Sequence, residues 1–332
     1  MENNYLFKLL NLICLIIIIL NILYIKHLIL FNKTNNSDNL KKNENINKKD
    51  DHLEKCYKSR SLIFGKNRAL NETNLVTIQS KLNYLIVHES PDFKTNLVDK
   101  IMLHEYSIKK LGKDICVPII KIYNDSKEIK LDELPDKFVL KCNHGSGMNI
   151  LCNNKSNFDL ESAKHKLDIW KNTNYGLITN EYQYLLVNRK IYAEKFLKEN
   201  IEDYKIYCFH GIPKFIRVQK HVEGISGKIN NYYDLDWKLN DIETGLEGFH
   251  RRPDIIFEKP KNLELMLDYA KKLSEDLVFV RVDLYNVNGT IYLGEMTFCP
   301  SNNIFKLKNR QQSIEIGKLI DIHKIKKEFF IP

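Results

Sequence analysis

The sequence lacks any Cys-x-x-Cys pair, any cysteine–histidine cluster at metal-ligand spacing, and any Gly-x-x-x-x-Gly-Lys-Ser/Thr run. These absences speak against a zinc site and a disulfide framework, and they exclude a P-loop fold. The seven cysteines, Cys14, Cys56, Cys116, Cys142, Cys152, Cys208 and Cys299, are odd in number. Most lie in apolar runs such as Tyr207-Cys208-Phe209, where a cysteine is read as a small buried hydrophobe in a reducing compartment. Also missing is any basic cluster interleaved with aromatics. The formal net charge of +9 is spread along the chain. It favours anionic partners in general, such as nucleotides or phospholipid headgroups, and does not indicate nucleic acid.

Charge is absent again from Leu9 to Ile25, and the apolar run resumes at Leu28-Ile29-Leu30-Phe31 after Lys26-His27. At a rise of about 1.5 Å per residue, residues 9–31 suffice for one membrane-spanning helix. A short tail, 1–8, precedes it. A cleaved signal peptide is the competing reading, but no small-x-small cleavage site follows. Lys26, Lys33, Lys41 and Lys42 outnumber Lys8 before the span, a bias that places the body weakly in the cytoplasm, as a single-pass membrane protein. Triplets such as Asn71-Glu72-Thr73 and Asn288-Gly289-Thr290 carry little weight in an asparagine-rich chain. Residues 32–55 are almost wholly polar, with too little apolar surface to offset the entropy of ordering, and are expected to be a disordered linker. The folded body begins near Cys56 with no second linker inside it.

Within that body the spacing of Leu97, Ile101, Leu103 and Tyr106 predicts a helix from Thr95 to Leu111, stopped by Gly112. Strands are expected at Val117–Tyr123 and Phe138–Cys142, with Met148–Cys152 returning as a hairpin partner. Leu160–Trp170 reads as helix, Lys190–Leu197 as strand, and Tyr204–Phe209 with Lys214–Gln219 as a hairpin. A helix over Asn262–Leu273 precedes two strands, Leu277–Tyr285 and Thr290–Thr297. Hairpins outnumber βαβ crossovers, so the class is α+β with antiparallel sheets.

Three segments carry chemistry. Lys141-Cys142-Asn143-His144-Gly145-Ser146-Gly147 ends a strand on a lysine and then offers unobstructed backbone amides, which suits nucleotide phosphates but also suits a plain hairpin turn. Arg281, Asp283 and Glu295 alternate with large hydrophobes on the last two strands, so both carboxylates can project from one face. Two converging carboxylates repel unless a cation lies between them, and Mg2+ is commonly held this way; a solvated strand face is the plain alternative. Glu194-Lys195-Phe196-Leu197 leads through a polar turn into Asp203-Tyr204-Lys205, and its backbone can meet an adenine edge; an ordinary amphipathic strand explains it as well.

Taken together, the order of these segments resembles the ATP-grasp enzymes, and the TupA-like group in particular. The likeness is carried by Asp99-Lys100, by Leu134 to Gly147, by Phe279-Val280-Arg281-Val282-Asp283-Leu284-Tyr285 and by Gly294-Glu295-Met296-Thr297-Phe298. It implies an ATP-grasp fold, two α+β subdomains clasping ATP between antiparallel sheets, with an N-terminal region at 56–135 and the ATP-grasp domain at 136–332. By the same resemblance Lys141 would contact the α- and β-phosphates, and Gly145, Ser146 and Gly147 would close over the β- and γ-phosphates. Lys195 and Leu197 would meet the adenine, Glu194 or a neighbouring acid the ribose, and Lys205 another phosphate. Asp283 and Glu295 would bind Mg2+, and Arg281 would neutralise charge on the transferred phosphoryl group. Many ATP-grasp enzymes have Asn where this chain has Thr297, so Thr297, Asn302 or Asn303 would complete the metal site.

The implied activity is ATP-dependent ligation of a carboxylate to an amine through an acyl phosphate, on a uronic-acid or amino-acid substrate in surface polysaccharide or glycoconjugate biosynthesis. His144, Arg217, His221, His250, Arg251 and Arg252 are further candidates for anion contacts. The alternative is a membrane-anchored glycosyltransferase, for which Asp234-Leu235-Asp236 offers the paired acids of a nucleotide-sugar site. A degenerate binding module is a third reading, opposed by the presence of Lys141, Asp283 and Glu295.

Overall fold

A computed structural model describes residues 75–326 apart from 90–91, 180, 246–247 and 304–306. The expected tail, span and linker over 1–55 lie outside the described residues, within which no helix is long and apolar enough to cross a membrane. All described residues fall in one compact unit.

Helix α1 (Ile78–His88) opens with a reciprocal cap, the Thr77 side chain accepting from the Ser80 N–H while Ser80 Oγ accepts from the Thr77 N–H. The single helix expected over Thr95–Leu111 is two, α2 (Asp92–Val98) and α3 (Leu103–Leu111). The break has a local cause: Asp99 Oδ1 accepts from the N–H groups of Ile101 and Met102 at 2.9 and 3.4 Å, competing with helical bonding. The stop at Gly112 is as read, in the left-handed conformation at φ 71°.

Strands β1 (Ile119–Tyr123), β2 (Phe138–Cys142) and β3 (Asn149–Cys152) precede helix α4 (Leu160–Asn172), a short helix α5 (Tyr175–Thr179) and strand β4 (Ile191–Lys195). The four strands form an antiparallel sheet in the order β1-β4-β2-β3. Ala163 and Leu167 of α4 close a core with Phe138, Leu140, Ile191 and Ala193, all buried.

The second sheet takes β5 (Asp203–Phe209), β6 (Ile212–Lys220), β7 (Lys228–Tyr233), β8 (Leu239–Asn240) and β9 (Phe249–His250). Helix α6 (Leu263–Ser274) then leads to β10 (Phe279–Val287) and β11 (Thr290–Thr297), and α7 (Arg310–Gly317) follows. The order is β11-β10-β5-β6-β7-β8, with β9 beside β7 in the parallel sense and all other pairs antiparallel.

Period-two alternation gives this sheet two unlike faces. On one, Val280, Val282 and Leu284 lie in a core with Ile206, Ile216 and Val218 beneath Met266, Ala270 and Leu273 of α6. Each of these side chains larger than alanine contributes roughly 1.5–3 kcal/mol by leaving water. The opposite face is divided along its length. Tyr207, Phe215, Tyr232 and Phe279 lie in an apolar cluster with Ile78 and Leu82 of α1 and Ile316 of α7, and the remainder is polar.

Candidate nucleotide and metal site

The polar part of that face is ordered by strand register. Glu295 on β11 stands opposite Asp283 on β10, Asp283 opposite Lys205 on β5, and Lys205 opposite Arg217 on β6. Two acids and two bases thus line up across four neighbouring strands, with Arg281 and Thr297 facing each other one step along. A register shift after Asp283 leaves Gly294 under the ring of Tyr285, so that a Cβ added there would lie 2.8 Å from it. A side chain at this position would have to displace the Tyr285 ring.

Ion pairs tie the row together. Arg281 donates from Nε to Asp283 Oδ1 at 2.6 Å, and its NH2 group reaches Asp283 Oδ2 at 2.6 Å, Thr297 Oγ1 at 2.9 Å and Glu295 Oε1 at 3.4 Å. Lys205 Nζ lies 2.6 Å from Asp283 and 2.5 Å from Asp203. Thr297 Oγ1 donates to Glu295 Oε1 at 2.6 Å. Burial pushes the Asp283 and Glu295 carboxyls up, but Arg281 acting on Asp283 and Lys100 acting on Glu295 hold both below their usual range.

Opposite stands the loop between β2 and β3. Asn143, fully buried, fixes its base: Nδ2 donates to Asp99 Oδ1 at 2.9 Å and to the Asn188 carbonyl at 3.0 Å, and Oδ1 accepts from the Lys190 N–H at 2.8 Å. Lys100, carried by the break between α2 and α3, donates to the Gly145 carbonyl at 2.6 Å and lies 4.0 Å from Glu295. Its amine is held below the ordinary lysine range by burial. Gly147 has φ 75°, a conformation that glycine adopts freely. Lys141, at the end of β2, pairs with Glu194 of β4.

Between loop and sheet lies a cavity of about 390 Å³. Lys141, Gly145, Ser146, Gly147, Lys205, Arg281, Asp283, Glu295 and Thr297, all expected from the sequence, line it. Glu194 reaches it through its pair with Lys141. Lys195 and Leu197 are not on its wall: Lys195 is exposed, and its N–H is spent on the Pro118 carbonyl at 2.9 Å. Asn302 and Asn303 have side chains outside the described residues. A larger cavity of about 580 Å³ beside His221 and Ile256 contains none of the expected phosphate, metal or catalytic residues.

Among the further anion candidates, Arg217 lines the first cavity. His144 does not. It is 1 % exposed, its Nε2 lies 3.1 Å from the Trp170 carbonyl, and burial depresses its pKa to about 4, so it is a neutral anchor of the loop. His221 Nδ1 lies 2.9 Å from the Gly227 carbonyl, Arg251 bonds the Asn240 carbonyl, and Arg252 pairs with Asp254. His250 is exposed on β9. Asp234 accepts from the N–H groups of Asp236 and Lys238 and so closes the turn between β7 and β8; neither it nor Asp236 lines this cavity.

Sequence reasoning assigned no role to several residues on the wall. Glu181 enters from the segment after α5; its pKa is pushed up to about 7, by burial first and by Glu295 second. Tyr175, Tyr184, Gln219 and Lys228 also line the cavity. Only Gln219 and Lys228, two strand residues on the alternating face of Arg217 and Tyr232, had a local signal to find them by.

A family model described as TupA-like ATPgrasp matches residues 78–321. No curated protein matches the chain. Solved structures with a distant likeness include a D-alanine–D-alanine ligase from Bacillus anthracis, at 19% identity and TM-score 0.36, covering 68% of this chain and 65% of that one. An L-amino acid ligase from Bacillus licheniformis shows 14% identity and TM-score 0.40 over 64% and 46%. A biotin carboxylase–ATP complex from Campylobacter jejuni shows 14% identity and TM-score 0.41 over 77% and 55%. The chain spans less than two-thirds of the length of each of these structures.

Proposed function

Because the chain belongs to the TupA-like ATP-grasp family, we propose that it is an ATP-dependent carboxylate–amine ligase working through an acyl phosphate. The observation that carries this reading is the row Glu295–Asp283–Lys205 facing Lys141 and the Gly145-Ser146-Gly147 loop across one cavity. Anionic and cationic groups there lie on neighbouring rigid strands, as a nucleotide triphosphate with a divalent cation requires.

The donor set suits Mg2+: two carboxylates directly opposite each other and a hydroxyl, all hard oxygen ligands. Asp283 and Glu295 would hold the ion with Thr297 beside them, and a bound Mg2+ supplies charge neutralisation at the phosphates. Lys141 and the loop amides hold the triphosphate, and Lys205 contacts a further phosphate. Arg281, oriented by three partners, neutralises charge as the γ-phosphoryl group moves. In the first step a substrate carboxylate oxygen attacks the γ-phosphorus, the bond to the β-bridging oxygen breaks and ADP leaves. In the second a neutral amine attacks the acyl carbon, inorganic phosphate leaves, and the nitrogen loses a proton. Positioning supplies most of the catalysis.

Lys195 and Leu197 lie off the cavity wall, and this reading leaves them only backbone groups other than the Lys195 N–H for an adenine edge, with Glu194 or Asp203 the ribose contact. The expected acids are uronic or amino acids and the expected amine is on a sugar or amino acid, in surface polysaccharide or glycoconjugate synthesis. Anchoring through 9–31 with the body in the cytoplasm completes the proposal and rests on the sequence. A glycosyltransferase is disfavoured because Asp234 and Asp236 are engaged in a turn.

The test is thermal shift of the full chain with ATP, with and without Mg2+, beside Asp283→Ala and Glu295→Ala. Stabilisation by Mg-ATP that both substitutions abolish supports the reading. Stabilisation by nucleotide sugars and none by Mg-ATP overturns it.

A further inference from the structure

Every cation of the site but one has an anionic partner close by on the protein or lies at the cavity mouth. Lys141 pairs with Glu194, Lys205 with Asp203 and Asp283, Arg281 with Asp283 and Glu295, and Lys100 lies 4.0 Å from Glu295. Arg217 differs. It is 4 % exposed and lines the cavity, its Nε has no hydrogen-bond partner, and no carboxylate pairs with it among the described residues. A buried guanidinium with no adjacent carboxylate gains a close partner when an anion arrives.

Its surroundings are made for a ligand rather than for packing. On β7, Tyr232 stands opposite Arg217, and Asn230 stands opposite Gln219, all on the same face of the sheet. Asn230 is 3 % exposed, yet neither its amide nitrogen nor its amide oxygen has a partner. Lys228, exposed on the same face of β7, lines the mouth. A buried cation on the cavity wall and, diagonal to it on the next strand and behind the wall, a buried free amide offer the donors that a carboxylate or a phosphate takes.

Position separates this subsite from the reacting centre. Strand β6 lies two strands from β10, about 10 Å away, with β5 between them. One carboxylate attacking a phosphoryl group held by Arg281 and the Asp283–Glu295 pair does not reach Arg217 as well. On the ligase reading, on which this step rests, we infer that Arg217, with Asn230 and Lys228, binds a second oxyanion of the acid substrate, one that is not activated. The substrate is then a dianion, a dicarboxylate or an acid that also bears phosphate.

The test uses the full chain saturated with Mg-AMPPNP, whose γ-phosphoryl group fills the metal end, and two probes, glutarate and inorganic phosphate, with butyrate as the monoanion of matched length. Glutarate or phosphate raises the melting temperature of the wild type and butyrate does not; which of the two acts tells carboxylate from phosphate. In Arg217→Met the effective probe binds at least about tenfold more weakly while Mg-AMPPNP affinity stays within about twofold. The unliganded Arg217→Met protein melts in one cooperative transition, which shows that it folds. Arg217→Lys retains weakened probe binding. The inference is overturned if neither probe shifts the wild type, or if Arg217→Met binds Mg-AMPPNP at least about tenfold more weakly, which makes Arg217 a nucleotide contact. If Mg-AMPPNP itself does not bind, the nucleotide reading fails, and the glutarate and phosphate arms run without it still decide the subsite.

Discussion

Asp283 and Glu295 face each other across the β10–β11 ladder, and the guanidinium of Arg281 bridges them, 2.6 Å from the first and 3.4 Å from the second. The arrangement makes a high-charge patch tolerable inside a protein, since each buried carboxylate has a cation beside it.

Removing one charge from that patch is expected to unbalance it. Asp283→Asn leaves Arg281 and Lys205 buried without their shared acid, and should lower stability by about 3–5 kcal/mol. Urea denaturation measures this directly. A loss below about 1 kcal/mol would mean that solvent screens the pair as at an exposed surface.

Glu181 gives the stability a pH dependence. Its carboxyl titrates near 7 when folded against an ordinary 4.5, so the folded chain binds the extra proton between those values. Stability therefore falls as pH rises through the window from about 4.5 to about 7. Glu181→Gln should flatten that slope and be the more stable protein at pH 8, by up to roughly 3 kcal/mol. Melting curves of both proteins from pH 5 to pH 8 test the sign as well as the size.

Gly294→Ala places a methyl group 2.8 Å from the Tyr285 ring, beside Glu295. Crowding of this kind costs about 1–3 kcal/mol, and Mg-ATP binding should weaken with it because Glu295 follows the strand. Calorimetric titration of Mg-ATP against wild type and variant gives both answers; unchanged stability and affinity would show that the ring simply swings aside.

Asn143→Ala removes the bonds to Asp99, the Asn188 carbonyl and the Lys190 N–H. Orphaning the buried Asp99 carboxylate and two part-buried backbone groups should cost about 3 kcal/mol. Hydrogen exchange should show the Gly145-Ser146-Gly147 amides opening faster in the variant, with the core of β10 unaffected.

Alternation and composition alone determined a good part of this protein. The strands at Phe138–Cys142 and Thr290–Thr297, the helix face of Leu263, Met266, Ala270 and Leu273, and the stop at Gly112 follow from period and from glycine chemistry. So does the sharing of one face by Arg281 and Asp283, because side chains two apart on a strand point the same way. Periodicity names a face but not a neighbour. That Lys205 and Arg217 extend the row of Asp283 and Glu295 was decided by pairing between β10, β5 and β6, which brings Lys205 to Asp283 across 78 residues of chain. The helix expected through Asp99 broke because Asp99 bonds its own backbone and Asn143, 44 residues on, and that break is what carries Lys100 to the cavity. Glu181 and Arg217 acquire their chemistry only there, since a raised carboxyl pKa and an unpaired guanidinium are properties of burial, which only the folded chain creates.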